Sequence, residues 1–223
     1  LLDLNNIVWR SLTGSQKNIA LVGKDVRRFK RGVSELVGFL DSQSPRLDEL
    51  GKISRSADVS YSVDWNGPVA SGWRVLEETR ADQMVWRLDT VDAPQIDAVA
   101  LDENHVGQML DLIELTQPGP FQFSTIEMGD YFGVFDQGEL VAMAGERLFA
   151  YPFREISGVC TRPGHEGRGF ARNLVQLLIA RQLQRNEMPF LHVVKANINA
   201  KRIYEKMGFE SVRETTIRQF IRV

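Results

Sequence analysis

The residues of this chain best equipped for chemistry gather around a glycine-rich turn. Ile156, Val159, Cys160 and Thr161 belong to an apolar, β-branched run, which Pro163, Gly164, Gly167 and Gly169 interrupt. After the turn, Leu174, Val175, Leu178 and Ile179 recur at helical spacing. The pattern is that of a strand, a tight turn and a helix. Such a turn frees backbone N–H groups at the positive end of a helix, and small residues let an anion approach the main chain closely. A phosphate is the natural guest, although a Gly-rich segment also serves as a plain turn. A nucleoside triphosphate loop would need Gly-Lys followed by Ser or Thr, and a dinucleotide site would need Gly-x-Gly-x-x-Gly early in a βαβ unit. Neither occurs here.

What does occur is Glu166-x-x-Gly169-x-Ala171. It resembles the Arg/Gln-x-x-Gly-x-Gly/Ala signature of the GNAT N-acetyltransferases, whose loop holds the pyrophosphate of acetyl-coenzyme A (acetyl-CoA). A second block follows: Pro189-Phe190-Leu191-His192-Val193-Val194, then Asn197-x-Asn199-Ala200-x-x-x-Tyr204-Glu205-x-x-Gly208-Phe209. This is similar to the other half of the GNAT coenzyme site, a strand, an Asn, a short helix bearing a Tyr and a Gly-Phe exit. The resemblance runs from about Ile96 to the C-terminus, with the motifs in the family's order and spacing. It implies an α/β GNAT fold, a mixed, splayed central sheet flanked by helices, and acetyl-CoA as co-substrate. It places Gly167, Arg168, Gly169, Phe170, Ala171 and Arg172 around the pyrophosphate. Backbone amides of Val159, Cys160 and Thr161 would meet the pantetheine arm, with Asn197 holding that arm from the facing side.

Forming an amide from a thioester requires a neutral amine, a polarised carbonyl and a protonated leaving thiol. At neutral pH an alkyl amine is mostly ammonium, so a carboxylate, acting directly or through water, is the usual proton acceptor. Glu155 holds the position where some GNAT enzymes carry their general base; the other reading is that it marks a strand edge or pairs with an Arg such as Arg147 or Arg154. Tyr204 lies four residues after Ala200, so both can face the coenzyme while Ile203 and Met207 face the core. Its phenol, with an ordinary pKa about 1.5 units above that of a thiol, can protonate a departing thiolate, the role the resemblance implies. Glu166 departs from the family pattern, and an acid beside a pyrophosphate should weaken binding unless it points away or pairs with Arg162 or Arg168.

Other reactive types carry less. Cys160 has no base at a recognisable offset and reads as a small buried apolar residue. His165 can touch phosphate, and His192 reads as a core residue. Three His and one Cys without ligand spacing give no reason to propose a metal.

Composition is that of an ordinary globular protein, with 43% apolar and 25% charged residues. With 27 basic and 29 acidic residues the net charge is −2, so nothing suggests nucleic acid as a partner. A single cysteine fits a reducing compartment, and no apolar run approaches the ~20 residues of a membrane span, so the expectation is a cytoplasmic protein without membrane contact, monomer or homodimer.

Around the site, the sequence divides at a short linker. Residues 1–94 read as an N-terminal α/β lobe of unknown role, packed on a GNAT domain at 95–223. Within the lobe the pattern predicts a strand at 19–22, a helical turn or two at 34–40, a helix at 46–53, and strands at 59–65 and 84–88, the last two separated by a turn at Asn66-Gly67-Pro68. Beyond the linker it predicts a strand at 96–100, a helix at 106–113 and a hairpin turning at 136–139. A helix follows from Gly169 to about Asn186, a strand covers 190–194, a helix capped by Asn199 ends at Gly208, and the last strands lie in 212–223. The acceptor pocket is expected among the first helix of the GNAT domain, residues 121–129 and the N-terminal lobe, where no residue singles out a charge on the acceptor. The expected activity is transfer of acetyl from acetyl-CoA to a primary amine by direct attack in a ternary complex. A small-molecule amine is the first expectation and a protein amine the rival; the alternative class is a coenzyme A-binding sensor without turnover.

Overall fold

A computed structural model of the chain describes residues 4–223. Among the described residues, eleven strands form one mixed sheet in the order β1-β2-β3-β4-β11-β5-β10-β9-β8-β7-β6. They are β1 (Ala20–Val22), β2 (Val26–Phe29), β3 (Leu36–Phe39), β4 (Ser60–Val63), β5 (Trp73–Trp86), β6 (Val99–Leu101), β7 (Tyr131–Asp136), β8 (Glu139–Ala150), β9 (Phe153–Thr161), β10 (Met188–Val194) and β11 (Phe209–Arg222). The α-helices among the described residues are α1 (Ile7–Thr13), α2 (Leu47–Ile53), α3 (Val106–Thr116), α4 (Phe170–Gln184) and α5 (Ile198–Met207). No helix among the described residues is long and apolar enough to cross a membrane.

The linker at residues 89–94 divides the chain but not the sheet. β5, from the N-terminal segment, lies between β10 and β11, antiparallel to both, and pairs with β11 along almost its whole length. The sheet also curls. α1 packs on β2, β3 and β4 and also on β8, which lies six places from β3 in the sheet, and only a curled sheet lets one short helix touch both. Ile7, Val8 and Leu12 of α1 are buried with Leu148, Phe153 and Phe190, at roughly 1.5–3 kcal/mol for each large side chain. Gln16, just beyond α1, fastens the curl. Its Nε2 donates to the carbonyls of Met128 (3.1 Å) and Arg147 (2.7 Å), and its Oε1 accepts from the amide of Phe149 (3.1 Å).

Local expectations are mostly met. The 136–139 turn puts Gln137 at φ 50° and Gly138 at φ 86°, the twist a two-residue hairpin needs. Three differ. Residues 36–39 form strand β3, not a helix, and all four are buried, so the apolar run carried no period by which to tell the two apart. The cap of α5 is Asn197, whose side chain accepts from the amide of Ala200 at 3.0 Å, rather than Asn199. The C-terminal segment is one long strand, β11.

Candidate active site

The site begins where two parallel strands part. β9 and β10 are in register from Phe153↔Met188 to Glu155↔Phe190; beyond that point β10 stays on β5 while β9 keeps only β8. On β9, Ser157 faces Gly145 and Cys160 faces Met143, so Gly158 and Val159 together oppose one residue, Ala144. This is a β-bulge, and Gly158 supplies the φ of 62° that it needs. A bulge on a strand that has lost one neighbour leaves backbone N–H groups without ladder partners, a ready set of donors for a carbonyl or amide arm.

A cavity of about 390 Å³ occupies the gap. On one side it is lined by residues 156–159 of β9 and on the other by His192, Val193, Val194, Asn197, Ala200 and Tyr204. The structure therefore brings Val159, Asn197 and Tyr204 together as expected. It extends under Gln117, Pro118, Gly119 and Pro120, rather than 121–129, to the N-terminal strands, where Glu35, Tyr61 and Glu77 form its far wall. Charges that the sequence did not single out are thus present, two acids at one wall and Arg147 near the bulge. A wider depression of about 570 Å³ lies at the β6–β7 edge beside Asp102, Glu127 and Arg181 and holds none of the motif residues.

Tyr204 packs edge-on against Phe209 with ring centroids 5.9 Å apart. Burial pushes its pKa up to about 12, and no hydrogen bond or charge contributes. It therefore stays protonated throughout the neutral range, as a donor to a leaving group must. Cys160 points the other way, into the cluster beneath α3, and burial raises its thiol to about 11. That suits the apolar reading and makes it a poor nucleophile.

Beyond the bulge, β9 runs into the glycine turn. Gly164, Gly167 and Gly169 have φ of 86°, 75° and 81°, and a Cβ at Gly164 or Gly167 would meet nothing within 4 Å. Gly169 is the N-cap of α4, with Phe170, Ala171 and Arg172 in its first turn. Left-handed residues interspersed with ordinary ones before a helix N-terminus can turn N–H groups toward one side, so the turn fits an anion. Thr161, Gly167, Arg168, Gly169, Phe170, Ala171 and Arg172 lie along this path outside the cavity, as they would to hold the far end of a long ligand. Arg168 is engaged by Asp136 (3.1 Å) and stacks on Phe170. Glu166 does not pair with an Arg; its Oε2 accepts from the amide of Gly164 at 2.6 Å. Glu166→Gln keeps an oxygen for that amide while removing a charge, so coenzyme A should bind about threefold to tenfold tighter, with the gain shrinking as salt rises. Calorimetric titration at low and high salt measures it, and weaker binding by the variant would show that the charge is needed to shape the turn.

Glu155 is not a wall of the cavity. It is 0% exposed, and its carboxylate receives Arg147 Nε (2.9 Å) and Nη2 (2.7 Å), the Leu148 amide (3.3 Å) and His192 Nδ1 (2.6 Å). Burial alone would raise its pKa, but Arg147 and His192 outweigh burial and hold the carboxyl far below the usual carboxylate range. A group so reluctant to take a proton, and so far from contact, is not a direct base for an amine. The pairing with Arg147 weighed from sequence is the arrangement found; Arg154 instead pairs with Glu187 at 3.2 Å.

This pair belongs to a longer row. His192 Nε2 meets Gln83 Nε2 at 2.9 Å, Gln83 Oε1 accepts from Arg213 at 3.3 Å, and Arg213 is bound to Asp64 at 2.6 Å. Thr215 and the amide of Asn6 complete Asp64. Arg147, Glu155, His192, Gln83, Arg213 and Asp64 thus come from, or directly follow, six adjacent strands, β8-β9-β10-β5-β11-β4. Because Arg213 fixes the Gln83 carbonyl, the Gln83 amide group donates to His192 Nε2, and His192 donates from Nδ1 to the ionised Glu155. His192, read from sequence as a core residue, is instead a link in this row and part of the cavity wall. No local motif marks it or Gln83.

Comparison with known proteins decides the family. A structure of a GNAT-family protein from Novosphingobium aromaticivorans DSM 12444 is 32% identical to this chain, with 99% of this chain and 98% of that one covered at a TM-score of 0.86. The chain belongs to the GNAT family of acetyltransferases. The family described as FR47-like protein matches residues 131–218, the stretch from β7 into β11 that contains the bulge, the glycine turn and Tyr204. The GCN5-related N-acetyltransferase from Kribbella flavida (13% identity, 97% and 95% covered, TM-score 0.63) and a GCN5-related N-acetyltransferase-like protein from Streptococcus suis 89/1591 (17%, 97% and 93%, 0.60) share the fold. No curated protein matches the sequence. The GNAT assignment makes this chain an acyltransferase, and it accounts for the parted strands: a GNAT sheet opens at this point.

Proposed function

We propose that this GNAT protein is an N-acetyltransferase that moves acetyl from acetyl-CoA to a small primary amine by direct attack within a ternary complex. The observation that carries the reading is the bulged, unpartnered edge of β9 facing Tyr204 across a closed-in cavity, with the glycine turn continuing from the same strand. Acetyl-CoA supplies the activated acetyl group. The cradle suits its diphosphate because the turn has open space over backbone N–H groups.

Each demand of the reaction has a residue. Backbone N–H groups of the bulge around Gly158 and Val159, on the side that β10 has left, would polarise a carbonyl. Tyr204 donates its phenolic proton to the departing sulfur. The amine proton passes to a carboxylate of the cavity wall, Glu35, directly or through water. Burial raises the proton affinity of Glu35, more than its hydrogen bond from Gln122 lowers it, which moves a carboxylate toward the range useful for a base. Glu155 serves as a positioning residue for Arg147 and His192. With the buried Cys160 thiol pushed up to about 11, attack by the amine itself is favoured over an acyl-enzyme. A small acceptor is favoured over a protein chain because residues 117–120 and the curled N-terminal strands close in the cavity. Thiol release that depends on added amine, with intersecting initial-velocity lines, tests the reading; parallel lines would oppose direct attack.

A further inference from the structure

We infer that Arg147 anchors a carboxylate of the acceptor, so that the acceptor class is a small aminocarboxylate, with its amine directed to the bulge and to the acids of the far wall. The inference rests on the proposed acetyl transfer in this cavity and adds the chemical class of the second substrate.

Three observations carry it. First, the Arg147–Glu155 pair is one-sided. Its guanidinium side chain is 18% exposed and the carboxylate side chain 1%, so the cavity meets the cation while the anion lies beneath it. Nε and Nη2 are spent on Glu155, and Nη1 has no partner among the described residues. A guanidinium carries five N–H donors in a fixed plane, so the edge turned from Glu155 still presents donors suited to a carboxylate.

Second, Arg147 is held in place before any ligand arrives. Glu155 fixes it, His192 fixes Glu155, Gln83 fixes His192, and Arg213 with Asp64 closes the row. Gln16 ties the Arg147 carbonyl to the N-terminal segment. A flexible arginine loses rotamer freedom when it binds; one fixed by six strands loses little, and preorganisation of this kind favours recognition.

Third, the wall of the same cavity also carries charge of the other sign. Glu35 and Glu77 line the same cavity, and both lie close enough to Tyr61 to raise its pKa, although burial is the larger cause. A purely cationic acceptor would leave Arg147 facing a like charge, and a purely anionic one would leave the acids so. A ligand bearing an ammonium group and a carboxylate meets both walls.

The test uses matched acceptor sets: leucine, leucinamide and isopentylamine; phenylalanine, phenylalaninamide and phenethylamine; lysine, lysinamide and cadaverine. Within at least one set, the free acid should exceed its amide and its decarboxylated amine by about tenfold or more in kcat/KM, about 1.4 kcal/mol by the tenfold conversion. In Arg147→Met combined with Glu155→Gln, which strands neither charge, the preference should fall to within about threefold. Equal or better use of the amide or the simple amine by the wild-type protein in every set would overturn the inference, as would a preference that survives in the double variant. The wild-type series decides even if the variant does not fold. Calorimetric titration of the coenzyme A-loaded protein with the same compounds reads the preference without turnover. A protein that binds the free acids selectively but releases no thiol would contradict the proposed reaction and sustain the anchor; one that acetylates amines without regard to the carboxylate would do the reverse.

Discussion

Glu155→Gln is expected to destabilise the fold by about 3–5 kcal/mol, the usual cost of removing one partner from a buried ion pair and stranding the other charge. Arg147 would keep its half-buried guanidinium against a neutral amide, and His192 would lose the anion that receives its Nδ1 proton. Chemical denaturation of both proteins at neutral pH measures the difference. Its pH dependence has a defined sign. Because folding lowers the pKa of Glu155, the stability it contributes is present above the ordinary carboxylate value of about 4.3 and is lost as pH falls through and below it. The gap between wild type and variant should therefore be full near neutrality and narrow below about pH 4. A direct base would behave otherwise: stability would change little and the acidic limb of the pH–rate profile would flatten. That flattening is expected instead of Glu35→Gln, a residue that lines the cavity and is proposed here to accept the amine proton.

Tyr204→Phe should lower turnover by about one to two orders of magnitude and leave coenzyme A affinity within about twofold. The ring would still pack on Phe209, so only the phenolic proton is lost. With a pKa of about 12 in the folded protein, ionisation of Tyr204 should not limit the wild-type rate anywhere near neutral pH. Steady-state rates and titration calorimetry separate the two effects. Unchanged turnover, with single-turnover kinetics showing chemistry to be rate-limiting, would remove Tyr204 from proton transfer to sulfur.

The halves of the site differ in how openly the sequence displays them. The strand, turn and helix around Gly164, Gly167 and Gly169, and the block from Pro189 to Phe209, are local patterns in which spacing alone fixes which residues share an element. Gly158 was visible as a glycine in a β-branched run, and its positive φ makes it the bulge. The charged row beside the cavity was largely hidden. Arg147, Glu155, His192, Gln83, Arg213 and Asp64 meet through sheet pairing, with Arg213 and Asp64 separated by 149 positions, and no short-range period records such a contact. The first half of β5 was hidden for a related reason: the strand expected at 84–88 rests on the buried second half, whereas the exposed first half, with Arg74, Glu77 and Glu78, lacks the alternation that marks a strand. The division at residue 94 followed composition, whereas the sheet follows β5 across it. Glu155 was legible as a residue of consequence, but whether it faced an amine or an arginine depended on β8.

The most direct test of the account is to incubate the protein with acetyl-CoA carrying a labelled acetyl group, with and without small primary amines, and to follow free thiol and label together. Direct acetyl transfer predicts thiol release that requires the amine, label recovered as the acetamide in equal amount, and an unlabelled protein. Saturable binding of acetyl-CoA with no amine-dependent thiol would contradict it and mark a coenzyme sensor, and label retained on the protein would contradict direct attack.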